Sequence, residues 1–320
     1  MIHAEKRFAR NPRWINRFWA VVKYELLWNI RKKKFLSMLI VAFALETVTF
    51  ALPVILSNFA NISIGQNPDF VVGGGIGGLM FFLFALVTVM NTISGEFESG
   101  TIVPLLTKPV SRTMVFLGKL LAAFITLFSA YAVLFIYMTI GGTIVYGPQN
   151  NLHLVPLTLL GNILSTFVWI AIVLAIGSMS KSSLIAALGA FGIFIALFIS
   201  APIVSLFSDQ ARVLTYVPGS GATGYIVGLG PHTAQTPGMS VSTGTDNIAA
   251  NLITYILHPS EEVSFYKISG ISGGQISWGS PLYTEPLSLV LLRSTIVAAA
   301  YVLVFLFIAW YAFKRARILE

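Results

Sequence analysis

The sequence predicts an all-α membrane protein: six transmembrane helices, an interfacial helix before the first and a large extracytoplasmic segment before the last. Three observations predict it. The 320 residues are 56% hydrophobic and 10% charged, against roughly 25% charged in a soluble domain, and the mean hydropathy is +0.82. The apolar residues gather into runs long enough to cross a bilayer as helix, about 20 residues each. Finally, Lys and Arg concentrate near one set of span ends, the pattern that places those ends in the cytoplasm.

Residues 1–34 read as a basic tail followed by an interfacial helix. Asn11 and Pro12 give a helix start. Ile15, Phe18, Trp19, Val22, Leu26 and Ile30 then recur at helical spacing, with Asn16, Arg17, Lys23 and Arg31 on the other side. Trp14 and Trp19 are expected at head-group depth, with Lys23, Arg31, Lys32, Lys33 and Lys34 on lipid phosphates, each worth about 1 kcal/mol near an anionic leaflet. A solvated basic tail is the alternative, above all for residues 1–10. The length and the lack of a small-residue cleavage site argue against a removable signal.

Residues 35–207 hold five spans: Phe35–Ser57, Phe70–Ser94, Met114–Tyr146, Leu157–Met179 and Leu184–Phe207. The last two are split only by Ser180–Ser183, so a tight helical hairpin is expected. Leu287–Phe313, within 286–313, is the sixth span, and 314–320 is a short basic tail. Ten of the twenty Lys and Arg lie in residues 1–34, two (Lys108 and Arg112) between the second and third spans with Lys119 in the opening turns of the third, one in the hairpin turn and three in the tail. Seventeen therefore share a side, and both termini are placed in the cytoplasm of a multi-pass plasma-membrane protein. The net charge of +8 then points to lipid head groups and not to nucleic acid.

Residues 208–285 are rich in Gly, Ser, Thr and Pro and too long for a connector, so a partner outside the cytoplasm is a natural expectation for them. Within them Asp246 is positioned to cap an apolar helix through Ile248, Leu252, Ile253 and Ile256 that stops before Pro259. The stretch 219–245 reads as loop, and Val263–Ile268 as a short strand.

Two motif matches are discounted. Gly73, Gly75 and Gly78 fit G-x-G-x-x-G, but no strand precedes them. The same cluster gives two small-residue spacings, Gly73 with Gly77 and Gly74 with Gly78, and close helix packing is the expected use. Ile271–Gln275 is close to the signature peptide of ABC ATPases, yet no G-x-x-x-x-G-K-[ST] phosphate loop exists in the chain. No cysteine is present, and the four histidines are scattered, so no metal site, cofactor site or catalytic set is expected. Glu46 in the first span and Arg293 in the last lie at depths that differ by only a few ångströms by helical rise. An ion pair beside a translocation path is the expectation, with outward snorkelling of Arg293 and a protonated Glu46 as alternatives.

The connection between the second and third spans, 95–113, carries two acids, Glu96 and Glu98, then Gly100–Thr101, Leu105–Leu106, Pro109–Val110–Ser111–Arg112 and Gly118–Lys119. A bare connector needs neither the acids nor the leucine pair. This string resembles the membrane subunits of type-two ABC exporters, and the resemblance extends to the interfacial helix, the six spans and the segment between the fifth and sixth. It implies a permease without catalytic activity, paired with a second copy or paralogue and with a cytoplasmic ABC ATPase that holds the ATP and Mg. It further implies that 95–113 is a coupling helix docked on that ATPase, with Phe97, Leu105 and Leu106 in apolar contacts and Glu96, Glu98 and Arg112 in polar ones. The first, second and fifth spans would line the path, moving an amphipathic substrate outward by alternating access. Pro104 and the long outer segment depart from the family pattern. A maturation or scaffold complex acting through 208–285 is the second reading, and an intramembrane enzyme the third.

Overall fold

The computed structural model describes residues 14–31, 33–60, 67–73, 77–101, 110–229, 236–273 and 275–316. Its helices are α1 (Trp14–Arg31), α2 (Lys33–Ala60), α3 (Phe70–Gly73), α4 (Gly78–Val89), α5 (Ser94–Glu98), α6 (Arg112–Tyr146), α7 (Val155–Ser180), α8 (Ser183–Phe207), α9 (Ile248–Leu257) and α10 (Leu287–Arg315). Among the described residues six stretches are long and apolar enough to span a membrane: Lys33–Phe59, Gly78–Glu98, Arg112–Tyr146, Leu152–Ser180, Ser183–Phe207 and Leu287–Arg315. The six-span fold class expected from hydropathy is the fold observed. The end of the bundle with the α7–α8 turn and the end of α10 is termed the basic end; the other is the domain end.

α7 is the central helix, packed against α4, α6, α8, α9 and α10. The reason is in its composition: no charged residue occurs from Val155 to Ser180, so every face can be buried. Two of its buried hydroxyls are satisfied within the helix, Ser165 donating to Gly161 O at 3.1 Å and Thr166 to Asn162 O at 2.8 Å. Tyr131 of α6 meets the Thr166 hydroxyl at 2.6 Å. Around Trp169 an aromatic cluster closes the middle, with Phe82 and Phe194 at ring distances of 5.5 and 5.3 Å. α2, α8 and α10 stay largely uncovered on their outer faces.

The second span begins later than Phe70. The chain makes one helical turn as α3, and α4 starts only at Gly78, because successive glycines lose more backbone entropy in a helix than any other residue, on the order of 1 kcal/mol each relative to Ala. Among the described residues, Gly73 and Gly77 make no close helix contact within this chain. A Cβ on Gly73 or Gly77 would meet nothing within 4 Å, Gly74 lies outside the described residues, and Gly78 faces a side chain, that of Asp246.

Residues 208–285 fold as a small domain with a four-stranded antiparallel sheet of order β2-β1-β3-β6: β1 (Thr223–Ile226), β2 (Met239–Ser242), β3 (Glu262–Phe265) and β6 (Tyr283–Pro286). A hairpin of β4 (Ile268–Ser272) and β5 (Gln275–Trp278) stands apart. The stretch expected to be loop thus supplies β1 and β2, in register Thr223↔Ser242 to Ile226↔Met239. Gly224 reflects packing, since a Cβ there would sit 2.3 Å from Val263 Cγ1. The helix expected after Asp246 is α9, and it enters the bundle to pack on α7, α10 and α3. A Cβ on Gly161 of α7 would lie 2.8 Å from Ala249 Cα. Gly161→Val is therefore expected to push α9 away and destabilise the chain by about 1–3 kcal/mol. Gly192→Ala, which meets nothing within 4 Å, is expected to leave the thermal midpoint unchanged or raise it.

Candidate functional site

The site grows from three junctions that meet at the basic end. The first is an ion triad. Lys119 of α6 donates to Glu25 of α1 at 2.6 Å and to Glu96 of α5 at 2.7 Å, and the lysine and Glu25 side chains are 4% and 7% exposed. Helical spacing puts Glu25 on the face of α1 that also buries Val22 and Asn29. That face lies on α6 because Gly118 removes the obstacle: a Cβ there would sit 2.8 Å from Val21 Cγ1. A charge so deeply buried is retained only when paired, so the triad fixes α1, α5 and α6 relative to one another.

The second junction is made by Glu98 at the end of α5. Its carboxylate accepts from Ser182 Oγ at 3.0 Å, from Ser183 N at 2.8 Å and from Ser183 Oγ. Ser182 is the N-cap of α8, where its hydroxyl also accepts from Ile185 N. An acid at this position meets free N–H groups and the positive end of the helix dipole. The α7–α8 turn is thereby tied to α5.

The third junction is at the end of α10. Arg112 Nη1 donates to the carbonyls of Lys314 at 2.8 Å, Ala316 at 2.9 Å and Phe313 at 3.4 Å, filling acceptors that a helix C-terminus leaves open. Ser111 holds the start of α6 by accepting from Met114 N. Phe97 packs edge-on against Phe313 with ring centroids 6.2 Å apart.

Within this chain Glu96 is bonded to the basic Lys119, Phe97 packs on Phe313, Arg112 caps the end of α10, and Glu98 is bonded to the α8 N-terminus while its side chain stays exposed. Gly100 has φ +68°, the left-handed conformation that ends a helix and favours glycine. It and Thr101 are exposed, with Thr101 bonded to Ser99 at 2.9 Å. Leu105, Leu106 and Pro109 lie outside the described residues, as does Lys32. Trp14, Trp19, Lys23, Arg31, Lys33 and Lys34 are all exposed.

The expected pair of Glu46 and Arg293 is not formed. Arg293 donates to Glu285 with Nη1 at 3.2 Å and Nη2 at 2.6 Å, and Arg212 approaches the same carboxylate at 2.9 Å. β6 runs directly into α10, so Glu285 folds back over the first turns of the helix and reaches Arg293 first. Glu46 is buried on α2. Arg293 thus fastens the small domain to the last span.

Three residues that matter were given no such part by the sequence. Lys119 stood in the motif string, but its partners lie 94 and 23 positions away. Glu25 was hidden inside an apolar face; the signal was a lone acid in an otherwise basic helix. Asp246, expected as a cap, instead reaches into the bundle, where its Oδ1 accepts from Trp169 Nε1 at 3.1 Å.

The spans and the junctions that tie them define a multi-pass membrane protein whose helices are joined at one end through α5. A family model described as ABC-2 family transporter protein matches residues 19–317, and the chain belongs to that family. Comparison with curated proteins gives no match.

Proposed function

We propose that this transporter-family chain is the permease subunit of an ABC exporter, with its basic end in the cytoplasm against a separate ATP-binding subunit. One observation carries the reading: α5, five residues long, is joined to α1 and α6 through Lys119, to the α7–α8 turn through Glu98 and to α10 through Phe97. A displacement of 94–101 is therefore transmitted to four of the six spans. The exposed Gly100–Thr101 turn is the surface offered to the ATP-binding subunit, and Glu96, Phe97, Glu98 and Arg112 act beside it by carrying the movement. ATP and Mg belong to the partner subunit, and the chemistry of hydrolysis with them. A second permease copy covers the apolar faces of α2 and α8, between which an amphipathic substrate moves by alternating access.

The proposal is tested in proteoliposomes that hold the chain with its ATP-binding subunit. Glu98→Ala frees the α7–α8 turn without touching the exposed turn. Transport per ATP hydrolysed is expected to fall about two- to fivefold, the range for a solvent-exposed charge interaction, while hydrolysis and subunit association persist. Unchanged transport would remove α5 as the transmitting element.

A further inference from the structure

The small domain places a carboxylate deep inside the bundle. Trp169 lies fourteen residues into α7, roughly 20 Å from its domain end at 1.5 Å per residue, and Asp246 touches it there. Asp246 is 5% exposed. Besides Trp169, Thr245 donates to it, and burial outweighs both bonds, pushing the carboxyl from its ordinary 3.8 up to about 7.

Among the described residues no cation pairs with this carboxylate. The elements packed on residues 245–247 are α4, α7, α9 and α10. α4, α7 and α9 contain no Lys, Arg or His. α10 carries Arg293, held by Glu285, with Lys314 and Arg315 at its opposite end. Among the described residues Asp246 has no salt bridge.

Beside the carboxylate lies a cavity of about 10 Å³ lined by Gly78, Trp169, Phe194, Leu197, Phe198 and Ser220. Room of that order admits one water-sized group. Gly78 keeps it open, because a Cβ there would stand 2.6 Å from Asp246 Oδ2. The walls include three aromatic rings, whose faces attract cations more strongly where water is excluded. Phe198 is 53% exposed, so the cavity adjoins the uncovered apolar face of α8.

We infer that Asp246, with Trp169, Phe194 and Phe198, forms a binding site for the primary ammonium group of an amphipathic substrate, whose alkyl chain lies along α8. The ammonium supplies the missing charge and fits a water-sized space, and the apolar face of α8 suits a hydrocarbon tail. This inference rests on the transporter reading and names the substrate class for it.

The test uses the full chain in lipid nanodiscs at pH 8, titrated calorimetrically with dodecylamine, dodecanol and dodecyltrimethylammonium. Dodecylamine, protonated at this pH, is expected to bind about tenfold or more tighter than either of the others, as a charge-assisted hydrogen bond requires. Asp246→Asn, which keeps an acceptor for Trp169, is expected to abolish that preference. Equal binding of dodecylamine and dodecanol, or a preference that survives Asp246→Asn, would overturn the site. Dodecyltrimethylammonium binding as tightly as dodecylamine would also overturn it, and this arm needs no variant. Absence of amine selectivity in the unsubstituted chain, if that chain still couples to ATP hydrolysis, removes the site and keeps the transporter; amine selectivity in a chain that binds no ATP-binding subunit does the reverse.

Discussion

Lys119→Met is expected to destabilise the chain by about 3–5 kcal/mol, the consequence of leaving a buried charge without its partner. In the intact triad Lys119 satisfies Glu25 and Glu96 at 2.6 and 2.7 Å. Methionine fills a similar volume but leaves the Glu25 carboxylate, 7% exposed, facing an apolar side chain. Replacing all three at once, Glu25→Gln, Lys119→Met and Glu96→Gln, is expected to recover most of the loss, because neutral groups carry a much smaller desolvation penalty. Denaturant titration of the detergent-solubilised chain measures both. A single variant within about 1 kcal/mol of the parent, as for an exposed pair, would show that the triad does not hold α1, α5 and α6 together.

Asp246→Asn is expected to have the opposite sign and a marked pH dependence. The folded carboxyl titrates near 7 and the ordinary value is 3.8, so between those limits the folded chain holds a proton that the unfolded chain has released. Stability therefore falls as pH rises through this window, and above about 7 the full penalty of an ionised, buried Asp246 applies. The difference corresponds to on the order of 4 kcal/mol. Asn carries no such charge. The variant is expected to melt above the parent at pH 8, by less at pH 6 and not at all at pH 4. A variant less stable than the parent at every pH would mean that the Asp246 hydrogen bonds outweigh the desolvation of its charge.

The two predictions differ in how far the sequence announces them. The spans are legible because lipid imposes a length and a composition on each, and even the α7–α8 hairpin is marked by Ser180–Ser183. The second span shows the limit. Hydropathy runs on from Phe70, but α3 stops at Gly73, α4 starts at Gly78, and a side chain of the small domain, that of Asp246, lies against Gly78. The sheet of the small domain was not legible, because its strands are four residues long and β3 finds β6 twenty positions away through pairings that no local pattern records.

For the site, the stretch 95–113 was recognised from its residues, but the direction in which they face was not. An acid near an anionic leaflet needs a positive partner, and the sequence allows that partner to lie on another protein or on the same chain. Within the chain Glu96 meets Lys119, and Glu98 meets the α8 N-terminus while its side chain stays exposed. Asp246 was misassigned for a related reason. An Asp just before an apolar helix is most often its cap, whereas here that helix is inserted between spans and the acid faces α7.

The chain has no cysteine, so Thr101→Cys creates a single reactive thiol on the exposed turn after α5. Labelling it with a membrane-impermeant maleimide, in intact cells and in inverted vesicles, tests the central claim most directly. The account predicts labelling in inverted vesicles only, and protection once the ATP-binding subunit is bound. Labelling in intact cells, or labelling that the ATP-binding subunit leaves unchanged, would contradict it.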